Sequence, residues 1–76
     1  MNKEEVFKIV GGKIREERLR QKITITELAD RLEIEYNNLI RIEKGRTNPT
    51  LGTLYKICKT LQIPLIQIMN FTDDDN

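Results

Sequence analysis

Tyr36, Asn37, Asn38, Arg41 and Lys44 stand within nine residues of one another, in YNNLIRIEK. Wound as a helix, that stretch turns Leu39 and Ile42 to one side and offers the polar five on the other. Carboxamides, a guanidinium and a phenol are groups that hydrogen-bond to base edges, and an ammonium suits phosphate. Asn37 and Asn38 are candidates to read adenine N6 and N7, Arg41 guanine O6 and N7 or a phosphate, and Tyr36 a thymine methyl or a phosphate. The bland alternative for the two asparagines is solvated helix surface.

Such side chains act only if something holds the helix outward. Upstream, Leu28, Ala29 and Leu32 share a face of a helix expected over 25–32. Thr24 with Glu27 three residues on is a capping-box pattern at its start. A turn of about three residues, Glu33 to Glu35, leads into the helix over 36–44, and Gly45 suits a left-handed cap after it. So short a joint forces a steep angle, as in a helix-turn-helix. Residues 1–22 read as a first helix with Phe7, Val10, Ile14 and Arg18 on one side. Gly11-Gly12 predicts a weak point or a frayed start there, at about 1 kcal/mol per glycine. After the loop 46–50, Leu51, Leu54, Ile57, Cys58 and Leu61 predict an apolar stripe on a helix over 51–61. Cys58 reads as a small core residue, and Lys56 and Lys59 as solvated. Ile63-Pro64 opens a last helix. Its Leu65, Ile68 and Met69 could pack inward, while Ile66, Met69 and Phe71 are candidates for a dimer surface.

From about Ile14 to Leu65 the chain resembles the phage-repressor-like (Xre-type) helix-turn-helix family. The resemblance is carried by Ile14-Arg15, Glu27-Leu28-Ala29, Leu39, Arg41-Ile42-Glu43-Lys44-Gly45, Asn48-Pro49, Leu51 and Leu54. It implies an all-α, lambda-repressor-like fold, a compact bundle of about five short helices. It further implies a homodimeric, sequence-specific regulator of transcription on double-stranded DNA, with the helix over 36–44 in the major groove of a palindromic operator. It also implies an ion pair between Arg18 and Glu43, against the other reading of Arg18 as a contact to DNA phosphate. Phosphate candidates on this reading are Thr24, Ile25 (through the helix N-terminus), Lys44, Arg46, Thr47 and Asn48. For Thr24 a pure capping role stays open, as does a plain connector for 46–50. The chain departs from the family pattern at three places. Glu17 stands where an apolar residue is usual, with Leu19 as a partial substitute; Ile25 stands where glutamine is frequent, and Ile40 where a small polar residue is usual. Ile40 either touches methyl or sugar–phosphate groups or widens the core.

Seventy-six residues allow one domain, expected over 1–72, with an acidic disordered tail over 73–76. The formal charge of +1 conceals an uneven distribution, because residues 1–72 carry 13 basic and 9 acidic side chains. Between Tyr36 and Lys59 five basic residues face Glu43 alone, a local surface suited to phosphate. With no histidine, one cysteine, no glycine-rich phosphate loop and no metal-ligand cluster, an enzyme is not expected, nor a cofactor, metal or small-molecule ligand. No long apolar run or signal peptide is visible, which predicts a cytoplasmic protein without membrane contact. The competing functional class is a protein-interaction module of the same fold, such as an antitoxin-like partner binder.

Overall fold

In the computed structural model, which describes residues 1–73, the chain forms five helices. They are α1 (Lys3–Arg20), α2 (Ile25–Leu32), α3 (Tyr36–Glu43), α4 (Leu51–Leu61) and α5 (Ile66–Met69). Three of the starts are capped by side chains. Asn2 accepts the Glu5 N–H at 2.8 Å, Thr50 accepts that of Thr53 at 3.1 Å, and Thr24 and Glu27 close the capping box. α1 also carries Glu4 and Glu5 in its first turn and Arg18 and Arg20 in its last, matching the helix dipole at both ends.

Four helices end in one way. Lys22, Glu33, Gly45 and Gln62 take left-handed backbone angles, with φ of 59°, 58°, 69° and 59°. The next residue's N–H then reaches back five positions, from Ile23 to Arg18 O, Ile34 to Ala29 O, Arg46 to Arg41 O and Ile63 to Cys58 O, at 2.9–3.1 Å. This is the Schellman closure, which satisfies the last carbonyls and reverses the chain. In three of the four cases an isoleucine follows and turns back onto the core.

The core joins all five helices through Val10, Ile14, Leu28, Leu32, Leu39, Ile42, Leu54, Ile57, Leu61 and Ile68, with Ile23, Ala29 and Cys58. α1 packs on α3, α4 and α5, and α2 packs on α3 and α4. Among the described residues no helix is long and apolar enough to cross a membrane.

Several expectations need correcting. α1 runs unbroken through Gly11-Gly12. Gly11 is buried where α1 crosses α3, and a Cβ there would overlap the Ile42 carbonyl and lie 2.7 Å from the Glu43 carbonyl oxygen. The glycine is what lets the two backbones touch, so the helix contact offsets its poor helix propensity. Gly45 does the same from the other side, since a Cβ there would lie 2.5 Å from Lys8 Cα. Leu51 is 64% exposed and has no part in the α4 stripe, because it sits in the first turn before the helix reaches the core. Leu19 is exposed and does not stand in for Glu17, which is itself buried. Glu17 is made tolerable by hydrogen bonds from Arg20, Gln21 and Gln67, and Gln21 also donates to Leu61 O at 2.6 Å. Lys56 is not simply solvated, since its Nζ donates to Leu32 O at 2.6 Å and ties α4 to the end of α2. Only Asp73 of the expected tail falls among the described residues, and it lies 3.4 Å from the N-terminal amine.

Candidate nucleic-acid interface

α3 is an eight-residue helix held along one side and free along the other. Leu39 and Ile42 are buried in the core. Glu43 is buried as well, and Arg18 of α1 grips its carboxylate. The guanidinium donates from Nε to Oε2 at 2.7 Å and from Nη2 to Oε1 at 3.0 Å, and Nη1 donates to Ile23 O at 2.8 Å. This planar, two-pronged pair, both partners sequestered from water, fixes the rotation of α3 about its axis.

The free side carries Tyr36 (50% exposed), Asn37, Arg41 and Lys44, all open to solvent, with Asn38 half-buried at its margin. None of these side chains makes a hydrogen bond or ion pair with another described residue. α3 starts at Glu35 without a side-chain cap, so its first N–H groups also stay open.

Among the hollows that border α3, two reach its free side, and they differ in chemistry. One is lined by Glu33, Ile34, Glu35, Asn37, Asn38 and Arg41. The other lies between α1, α2 and α3 and is lined by Arg15, Arg18, Ile25, Ile40, Glu43 and Lys44. Spacing and residue type alone do not mark Arg15, Glu33 or Glu35 as site residues. Arg15 had a signal: it follows the buried Ile14 on the side of α1 that crosses α3. The two glutamates had only their place in the turn.

Thr24 is engaged as a cap, leaving the Ile25 and Thr26 N–H groups at the α2 N-terminus unused. The capping box also lowers the Glu27 pKa, first through the Thr24 N–H and then through its hydroxyl, so this carboxylate stays ionised beside the N-terminus. Ile25 is partly buried against the core. Arg46 and Asn48 are exposed and Thr47 half-buried. Cys58 is buried, which pushes its thiol pKa up and leaves it inert. Of the proposed dimer residues, Ile66 is 64% exposed, whereas Met69 and Phe71 pack partly against their own core. They leave less apolar surface on α5 than the sequence suggests, because α5 is a single turn.

A family model described as helix-turn-helix, HTH_3, matches residues 14–68. The transcriptional regulator ClgR of Mycobacterium tuberculosis is 34% identical over 64 residues, which are 84% of this chain and 57% of that protein. The chain therefore spans little more than half the length of that relative. An uncharacterized HTH-type transcriptional regulator of Archaeoglobus fulgidus is 30% identical over 63 residues, covering 83% of this chain and 90% of that one. The crystal structure of the restriction-modification controller protein C.AhdI from Aeromonas hydrophila matches with a TM-score of 0.77 at 22% identity, over 84% of this chain and 96% of that one. At such identity the structural likeness establishes the fold alone.

Proposed function

This chain belongs to the HTH_3 helix-turn-helix family, and from that premise we propose that it is a sequence-specific, double-stranded-DNA-binding transcriptional regulator that acts as a homodimer. α3 enters the major groove, with Asn37, Asn38, Arg41 and Tyr36 toward base edges. Lys44, Arg46, Thr47, Asn48, Thr24 and the open N–H groups at Ile25 hold phosphates. The observation that carries this reading is the division of α3. One side is locked by Leu39, Ile42 and the Arg18–Glu43 pair, and the other presents polar side chains with no partner among the described residues. Relatives described as transcriptional regulators support the same class.

The chemistry of a positioned reader follows. Amides and a guanidinium on a helix whose backbone is already fixed meet base edges without a cost for ordering the backbone, and only their own rotamer freedom is lost on binding. Two copies related by a two-fold axis would meet half-sites ~34 Å apart, one helical turn of DNA. The test is a selection from a random duplex pool at near-physiological salt, with wild type and the Asn37→Ala/Arg41→Ala variant side by side. A palindromic motif enriched by wild type and missed by the variant is the expected result. A folded protein that enriches nothing would reject the reading in favour of a partner-binding module.

A further inference from the structure

The hollow between α1, α2 and α3 has a composition that hydrogen-bonded readout does not use. Two of its six lining residues, Arg18 and Glu43, are already bound to each other. What remains is an apolar pair, Ile25 and Ile40, together with Arg15 and Lys44. Both cations are exposed, and neither has a hydrogen-bond or ion-pair partner among the described residues.

Ile40 is half-exposed and belongs neither to the buried core nor to the side chains packed against it. The core therefore does not account for it. On α3 it stands one turn after Tyr36 and one turn before Lys44, on the free side of the helix. Ile25, partly buried, lines the same hollow from α2. An isoleucine cannot donate or accept a hydrogen bond. The one apolar feature that base edges present in the major groove is the methyl group on C5 of a pyrimidine. A hollow lined by two isoleucines and two cations without a partner among the described residues matches a methyl group close to phosphates of the DNA backbone.

We infer that Ile40, in the hollow it shares with Ile25, reads a pyrimidine 5-methyl group in the major groove, with Arg15 and Lys44 on the neighbouring phosphates. The inference rests on the DNA-reading function proposed above and adds a specificity contact to it. Thymine and 5-methylcytosine carry the same methyl, so the experiment must separate them.

The motif from the selection is scanned with wild-type protein, replacing each thymine singly by uracil and each cytosine singly by 5-methylcytosine. One methyl buried against isoleucine is expected to change affinity by about fourfold. A loss of that order at one thymine in each half-site, absent in Ile40→Ala while other positions keep their effects, supports the inference with thymine as the source. A gain at one 5-methylcytosine that Ile40→Ala abolishes supports it with the methylated base as the source. A selected motif insensitive to every such replacement overturns it and leaves the DNA-reading function standing. So does a methyl effect that Ile40→Ala retains. No selected motif at all overturns the function, and this contact with it. The wild-type scan locates the methyl contact by itself, and Ile40→Val, which keeps a smaller apolar side chain and should weaken the methyl effect, replaces Ile40→Ala if that variant does not fold.

Discussion

Arg18 and Glu43 show why a charged side chain can be structural. Their carboxylate and guanidinium satisfy each other, and the third Arg18 bond goes to the Ile23 carbonyl. Arg18→Ala would strand a buried carboxylate and is expected to cost about 3–5 kcal/mol in denaturant unfolding. Replacing both partners by apolar residues should cost less than removing one, because no charge is left alone. A single variant that melts like wild type would contradict this account. Adjacent glycines make a sharper contrast. Gly11→Ala drives a methyl into the α3 backbone and should destabilise strongly, whereas Gly12→Ala meets nothing within 4 Å. Gly12→Ala should stabilise α1 by about 0.5–1 kcal/mol through helix propensity alone. Thermal melts of the two variants, moving in opposite directions, would check it. Both glycines look identical in the sequence; the difference lies in which one faces the crossing.

The elements were legible where their signals are local. The α2 capping box, the turn over Glu33 to Glu35, and the bounds of α2 and α4 all follow from side chains within a few residues of one another. The closures were less legible, because Lys22, Glu33 and Gln62 adopt left-handed angles without being glycine. Their signal is the isoleucine that follows, whose burial draws the backbone into the turn. At Gln62, which is exposed, glycine removes the left-handed strain at some cost in unfolded-state entropy. Gln62→Gly is expected to raise stability by about 0.5–1 kcal/mol in urea unfolding. Gly45→Ala should do the reverse, since it combines positive φ with overlap on Lys8. α5 illustrates the limit of periodicity. Its apolar run promises a longer helix with two faces, but one turn suffices to seat Ile68.

For the molecule as a whole, acid stability is tied to the junction of α1, α4 and α5. Hydrogen bonds from Arg20, then Gln21 and Gln67, pull the Glu17 pKa from 4.5 to about 2. A carboxylate held lower in the folded state than in the unfolded one stabilises the fold above pH 4.5. That contribution fades as pH falls from about 4.5 towards 2. Glu17→Gln should therefore lower stability at neutral pH and flatten this part of the acid limb, read from denaturant midpoints at stepped pH. The charge map bears on partners. Arg15, Arg41, Lys44 and Arg46 are all exposed on α1, α3 and the loop that follows. On the proposed function, binding weakens with salt, and Arg46→Ala should reduce the slope of log K against log salt by about 1 while sparing the preferred motif. Titrations of the selected duplex at several salt concentrations would measure it.

Local and periodic features can be read from the chain before it folds. Helix bounds, caps, the steep turn and the buried stripe of each helix follow from spacing, because each depends on residues a few positions apart. The exposed polar side of α3 was likewise written in the offsets of Tyr36, Asn37 and Arg41 from Leu39 and Ile42. Whatever depends on distant parts of the chain meeting came from the packing of the helices. It makes Gly11 a contact rather than a flaw, since α3 arrives there. It buries Glu17, since Gln67 comes from fifty residues away. It leaves Ile40 outside the core, beside Ile25, Arg15 and Lys44, because three helices must pack before that hollow exists.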